Sequence, residues 1–433
     1  MADIRAFRGF RYDLGKVGEL SHVVAPPYDV IDEALQQKLY DLSPVNAIRV
    51  ELTKPEEGDD EDNNRYTRAG QTMRDWLASG AVTQDTARSL YVYEQEFTAE
   101  GQTFTRRGFF ARVRLEPFGE GKIYPHEQTM SGPKADRLNL YRATNFNLSP
   151  VFGLYPDDDG EVFAKLEPLI RKSPPRVATD HLGVVNRLWV VTDQATISQV
   201  IGLMGPKSVF IADGHHRYET GVKYLEEQRA AGQVPDDEAA PNFCLMMLVG
   251  MSDPGLIILP THRLVSGLPP ITSDRLQELL KDLFTIDHVG DDATAAWEHV
   301  QMDGSQLCLG FGTVADGKWV VAKLRDPAAM DGVAPDQSAE WRGLGVSILH
   351  KLVLDRIIKD AVGGEAKCQY VHLLKEVTDA VAAKSCQLAC LVPPAEMEHV
   401  ESIAGNLEKM PPKSTYFYPK LLTGLVYNSL KKD

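Results

Sequence analysis

The sequence predicts a mixed α/β (α+β) protein built from more than one packed unit. Short apolar runs alternate with helix-period stretches through the middle third. A β-branched and aromatic hairpin pattern precedes them. At 433 residues the chain exceeds one ordinary core. The spacing divides it into an N-terminal region, 1–160, a central region, 161–270, and a C-terminal region, 271–433.

The N-terminal region opens on a proline-rich loop, 24–30. Residues 46–52 alternate well enough to predict a strand. The acidic run 56–64 has nothing to bury and reads as a solvated loop. Met73, Trp76 and Leu77 fall at helical spacing. Residues 90–97 and 104–115, joined by Ala99-Glu100-Gly101, predict a hairpin. A polar stretch follows over 124–149, and 151–155 returns to strand. In the central region, 187–192, 208–211, 244–250 and 256–259 predict strands. Residues 216–230 predict a helix with Tyr218, Val222 and Leu225 on one face. Pro269-Pro270 marks a boundary. Beyond it the pattern gives a helix over 273–283, a hairpin from 307–311 and 319–324, and a long amphipathic helix over 346–359. The tail 411–420 is aromatic and basic in an acidic chain, so it must pack on something. It either folds back over a site or forms a homodimer interface.

Composition narrows the function. Hydrophobic residues make up 43% and charged residues 25%, as in folded globular proteins. Acids outnumber bases 61 to 46, for a net charge of −15. A surface that grips nucleic acid by its phosphates is normally basic, so nucleic-acid binding is disfavoured. Cys244, Cys308, Cys368, Cys386 and Cys390 are dispersed, odd in number and without paired C-x-x-C spacing, which supports neither a zinc ribbon nor a disulfide framework. Residues 386–392 read as a buried strand. The N-terminus carries no apolar signal region, and no apolar run nears the roughly 20 residues of a membrane span. The expectation is a cytoplasmic protein with reduced thiols.

The chemistry concentrates at Val209-Phe210-Ile211-Ala212-Asp213-Gly214-His215-His216-Arg217. An apolar strand ends, a glycine permits a tight turn, and a helix begins. Unsatisfied N–H groups at a helix start favour anions. Arg217 could clamp phosphate oxygens, and His215 and His216 could donate to phosphate or move protons. Asp213, at the carboxyl end of the strand, could act as general base or hold a magnesium ion. The bland alternative, a helix cap with two surface histidines, carries less weight with His-His-Arg attached. A second cluster, Tyr124 to Arg137, brings His126, Glu127, Lys134, Asp136 and Arg137 into a Gly-Pro loop. Lys134 and Arg137 could contact phosphates, and Glu127 could orient a substrate hydroxyl; an ordinary polar loop is equally compatible. His126-Glu127 begins a zinc-protease motif, but Met130 stands where its second histidine must be, so zinc proteolysis is rejected. Thr261-His262-Arg263 and Pro26-Pro27-Tyr28-Asp29 fit turn chemistry and a core histidine better than function. No Walker A, Gly-x-Gly-x-x-Gly or Gly-x-Ser-x-Gly pattern occurs.

The blocks APPYDVI, PHEQTMSGPKADRLNL, ADGHHRYE, LPTHR and MPPKSTYFYPKLLTGLV, in this order from Ala25 to Val426, resemble the bacterial family known as domain of unknown function 1015. The Asp213–Arg217 block is also similar to the signature of the ParB/sulfiredoxin superfamily. That likeness implies a mixed-sheet ParB/sulfiredoxin-like core with additional N-terminal and C-terminal α/β regions. Sulfiredoxins have a cysteine where this chain has His215, and ParB proteins a Gly-Glu-Arg-Arg block and a DNA-reading helix-turn-helix. Free serine kinases carry the block most like this one.

The resemblance implies phosphoryl transfer from ATP or ADP to a small hydroxyl compound such as free L-serine, with Mg²⁺ as cofactor. Asp213, His216 and Glu127 would be catalytic, and Asp213 would also be the metal ligand. Gly214, His215, His216, Arg217, Lys134 and Arg137 would hold the nucleotide. Asp29 is a further candidate for the substrate. The runner-up is a non-catalytic or slowly hydrolysing nucleotide-binding regulator, and third comes a DNA-associated partition factor.

Overall fold

The computed structural model describes residues 2–99, 101–127, 129 and 131–431, with the side chain of 131 left out. The expected turn at Glu100, and Gln128 and Met130 of the polar loop, lie outside the described residues. The chain divides into two compact units. Unit 1 comprises Met1–Pro125, Thr129–Ile257 and Pro419–Asp433; unit 2 comprises His126–Gln128 and Ile258–Tyr418.

Unit 1 is built on a nine-stranded mixed sheet. Its strands are β1 (Ile4–Arg5), β2 (Leu90–Ala99), β3 (Gln102–Arg114), β4 (Ile123–Tyr124), β5 (Val151–Tyr155), β6 (Arg176–Thr179), β7 (Val185–Val191), β8 (Val209–Asp213) and β9 (Phe243–Gly250). Their order is β4-β8-β5-β9-β3-β2-β7-β6, with β1 beside β3. β8 runs parallel to β4, and β5 runs parallel to β9; the remaining pairings are antiparallel. β5 and β9 are buried almost end to end, as strands covered on both faces must be, which is why they read as continuous apolar runs rather than alternating ones.

The helices start where the sequence supplies caps. Asp193 accepts the Thr196 N–H ahead of Gln194–Met204, and Asn64 forms a capping box with Thr67 ahead of Arg65–Ser79. The latter buries Met73 and Trp76, the residues whose spacing marked it. Ser131–Thr144 packs against both Arg65–Ser79 and His215–Ala230. There Tyr141 meets Tyr224 edge-on at 6.0 Å.

Unit 2 holds a six-stranded, wholly antiparallel sheet: β10 (His262–Ser266), β11 (Phe284–Gly290), β12 (Cys308–Thr313), β13 (Lys318–Leu324), β14 (Lys367–Val371) and β15 (Leu388–Leu391), in the order β11-β13-β12-β15-β10-β14. Arg263 on β10 is fully buried. It donates to the carbonyls of Thr261 and Lys413 and, at 3.3 Å, to Nε2 of His350. His350 lies in the segment expected as one long helix, which is wound as a π-helix over Ile348–Ile358. His262 is the core histidine that turn chemistry suggested, its Nδ1 accepting the Val392 N–H and its ring edge-on to Trp297 at 4.8 Å.

Three expectations are corrected. Residues 46–52 form not a strand but a short helix, Ile48–Glu51. The Asn46 carboxamide accepts the Ile48 N–H and donates to His22 and Val24 carbonyls, fixing a turn that overrides the β pattern. Residues 1–160 and 161–257 are not separate regions, because strands from both alternate in one sheet. The division near Pro269 falls earlier, at Ile257, because β10 pairs with β14 and β15.

Burial holds His262 down at about 3 and His350 at about 4, and Arg263 repels a proton from each. Both imidazoles are neutral when folded and take up protons near pH 6.5 once unfolded. Between about pH 4 and 6.5 the unfolded chain therefore binds more protons. Unit 2 is expected to lose stability as pH falls through that window, by up to about 1.4 kcal/mol per pH unit for each histidine. Urea unfolding at pH 7 and pH 5 measures the loss, and His350→Gln should reduce it; equal pH slopes in variant and wild type would contradict the assignment.

Candidate functional site

The Asp213–Arg217 block is placed by an irregularity in the sheet. β8 pairs with β5 at Phe210 and Ile211, then slips so that Asp213 faces Phe152, leaving Ala212 as the extra residue. Such a bulge re-aims the side chain that follows it. Gly214 then takes φ +88°, a conformation that strains any residue with a Cβ, and the helix His215–Ala230 begins. A Cβ on Gly214 would also lie 2.9 Å from Nε of Arg217. The helix start is pinned to the segment after β3 through Tyr218, whose hydroxyl accepts the Glu116 N–H and donates to the Glu116 carbonyl, each at 2.9 Å. Phe118 stacks on its ring.

Asp213 sits between two cations. Arg217 binds Oδ2 and also donates to the Pro150 carbonyl, while Nζ of Lys420 binds Oδ1 at 2.6 Å. Burial alone would push the Asp213 carboxyl up. The charges of Lys420 first and Arg217 second outweigh it, with His215 adding to them, and hold the group well below the usual carboxylate range. Arg217 is likewise buried, which disfavours its charge, yet Asp213, Asp29, Tyr28 and Glu51 all favour it and raise its pKa.

A second tier lies behind that guanidinium. Arg137 is buried, pairs with Glu51 at 3.1 Å and Asp136 at 2.6 Å, and lies 4.1 Å from the centre of the Tyr28 ring. Glu51 also accepts from Ser149 at 3.0 Å. Burial pushes the Tyr28 phenol up to about 12 against the pull of Arg217 and Arg137. Lys134 reaches the other helix, pairing with Glu219 at 2.7 Å beside the Thr129 hydroxyl.

The structure thus gathers Asp213, Gly214, His215, His216 and Arg217 at one strand-to-helix junction and sets Arg137 behind it. Lys134 is held on the flank by Glu219. Glu127 belongs to unit 2, where its carboxylate accepts the Lys413 N–H at 3.1 Å and its backbone bridges Met410. Sequence reasoning missed Lys420, Glu51 and the importance of Tyr28. The basic, aromatic tail, which falls in the block MPPKSTYFYPKLLTGLV, was the signal pointing to Lys420.

A divalent ion at Asp213 does not fit this arrangement, because each carboxylate oxygen already accepts from a cationic side chain. Among the described residues no three His, Cys, Asp or Glu side chains gather as a ligand set.

Fold and site together define a mixed α/β protein with a buried acid clamped by two bases at a glycine-started helix. The chain belongs to the family described as Protein of unknown function (DUF1015), whose profile matches residues 4–347. No curated protein matches the chain. Among solved structures it is similar to C-terminally truncated SbnI from Staphylococcus aureus, at 10% identity over 75% of this chain and 90% of that chain, with a TM-score of 0.35. A free serine kinase in complex with AMP aligns at 13% identity over 69% of this chain and 86% of that one, with a TM-score of 0.32. A conserved hypothetical protein from Pyrococcus furiosus gives 13% identity, 69% and 90% coverage, and a TM-score of 0.32. Scores this low carry no functional argument. No helix among the described residues is long and apolar enough to cross a membrane.

Removing the Asp213 charge strands the buried Arg217 and the partly buried Lys420, so Asp213→Asn should destabilise unit 1 by about 3–5 kcal/mol at pH 7. A depressed carboxyl contributes stability that is complete above the unfolded pKa of about 3.9 and lost as pH falls through the lower folded value. The gap between variant and wild type should therefore persist at pH 5 and narrow only below about pH 4. Urea unfolding across that range measures it; a gap that closes by pH 5 would contradict the clamp.

Proposed function

We propose that this chain is a nucleotide-dependent phosphotransferase acting on a small hydroxyl compound, with ATP or ADP as donor and free L-serine as acceptor. The observation that carries the reading is the ionised Asp213 clamped by Arg217 and Lys420 where a glycine starts a helix. Helix-start N–H groups favour phosphate, and a fixed carboxylate beside them can accept a hydrogen bond from an incoming hydroxyl.

Phosphoryl transfer asks mainly for positioning and charge neutralisation. The hydroxyl oxygen forms the new P–O bond, the terminal anhydride P–O bond breaks, and the hydroxyl proton passes to Asp213 and on to water. A carboxylate with so depressed a pKa is a weak base, so Asp213 acts chiefly by orienting the hydroxyl, and the proton leaves late. The backbone N–H groups of His215 and His216 face the phosphates, and the His216 ring donates to them. Arg217, spent on Asp213 and the Pro150 carbonyl, positions the carboxylate rather than clamping phosphate. The same weak basicity favours a second reading, a regulator that binds nucleotide and transfers nothing.

Phosphorus NMR on the purified protein with Mg²⁺ and L-serine, run separately with ATP and ADP, separates the two. A phosphoserine signal that is lost in Asp213→Asn is the expected result. Nucleotide left intact, or hydrolysed only to free phosphate, would overturn the serine-kinase reading and favour the regulator.

A further inference from the structure

We propose that a second cleft in unit 1, lined by none of the residues of the Asp213 junction, binds a small organic oxyanion, a carboxylate or a phosphate ester. The cleft measures about 620 Å³, within the range of small-molecule sites. Its lining comes from Arg88 and Arg112, Tyr224 and Gln228 of the helix His215–Ala230, the loop between that helix and β9, and the end of the chain at Leu430 and Lys431.

Strand alternation concentrates positive charge here. Arg112 and Arg114 lie two apart on β3 and so share a face. β1 sets Arg5 opposite Arg112, and β9 sets Phe243 opposite Arg114. The guanidiniums of Arg5, Arg112 and Arg114 lie 5.9, 5.5 and 4.6 Å from the centre of the Phe243 ring. Asp3 and Glu238 each pair with both Arg5 and Arg114. A hydrogen bond from Arg5, then the charges of Arg5, Arg114 and Arg112, hold the Glu238 carboxyl below its usual range. Arg112, only 3% exposed, is the member of the three that lines the cleft.

Among the described residues the charged lining is three cations, Arg88, Arg112 and Lys431, and two acids, Asp236 and Glu238. Glu238 is already engaged by Arg5 and Arg114, and Asp236 accepts the Glu238 N–H at 3.0 Å. Arg88 and Lys431 form no ion pair among the described residues. The bonds they make run through the backbone: the Arg88 carbonyl accepts from Gln194 at 3.4 Å, and the Lys431 N–H donates to the Ser429 hydroxyl at 3.1 Å. Both side chains are exposed and open to a ligand. In a chain of net charge −15, a concave place with cations to spare draws anions. A guanidinium offers a planar fork that matches carboxylate and phosphate oxygens alike. Pro235, Pro241 and Leu430 give the carbon body of the ligand an apolar wall. The loop is ordered beforehand, because the buried Asn242 donates to the Asp236 carbonyl at 3.0 Å and the Gln233 N–H to the Gln228 carbonyl at 2.8 Å. A ligand therefore has little left to order.

Calorimetric titration of the full-length protein with succinate and with glycerol 2-phosphate tests the two kinds of oxyanion, with succinamide and glycerol as uncharged controls. At least one anion should bind and neither control should. Binding of succinate alone assigns a carboxylate ligand, and of glycerol 2-phosphate alone a phosphate ester. Arg88→Gln and Lys431→Gln, whose side chains hold nothing else in place, should each weaken the anion about tenfold, one charge-assisted contact apiece. Lys38→Gln, an exposed lysine outside the cleft, should change it less than about twofold. No binding of either anion, or equal binding by wild type, Arg88→Gln and Lys431→Gln, would overturn the proposal and leave the reading of the Asp213 junction untouched.

Discussion

The carboxylate of Asp213, held between Arg217 and Lys420, is the interaction on which the rest of unit 1 depends. Two cations and one acid removed from water cost several kcal/mol per ion unless each finds its partners. The chain meets that cost with geometry. The bulge at Ala212 turns Asp213 out of the ladder, Gly214 lets the helix start one residue later, and Arg217 returns one helical turn on to the acid. A substitution at Asp213 or Arg217 leaves a charge here without its partner.

The same requirement explains why the last residues of the chain belong to unit 1. Without Pro419–Asp433, Asp213 would keep one cation and the buried Arg106 would lose the Pro419 carbonyl. Burial already draws Arg106 down to about 10, so its backbone partner matters. The second tier repeats the logic, with Arg137 shared between Glu51 and Asp136 and covered by the Tyr28 ring. Unit 2 makes a different choice: Arg263 is buried among carbonyls and a neutral imidazole, an arrangement that loses stability as pH falls below about 6.5.

Local signals carried much of this. The hairpin of β2 and β3, the strand β8 and the helix after Gly214 follow from β-branched runs, a glycine and 3.6-residue spacing, all properties of neighbours in sequence. The mixed α/β class follows from the same alternation. Tertiary choices were hidden. Residues 46–52 carry a strand pattern, yet Asn46 finds carbonyls more than twenty residues away and bends them into a helix. Glu51 looks like any surface acid until Arg137 and Ser149 close on it. Lys420 lies in the block MPPKSTYFYPKLLTGLV and in a basic, aromatic tail of an acidic chain, but neither names the acid it meets. Pairings between residues hundreds of positions apart leave no periodic trace.

A crystal structure of the protein with ADP tests the central claim most directly. The account predicts the diphosphate at the start of the His215–Ala230 helix, with the His215 and His216 N–H groups within hydrogen-bond distance and Arg217 and Lys420 still on Asp213. ADP bound elsewhere on the protein, or a diphosphate that leaves the Asp213 junction untouched, would contradict it.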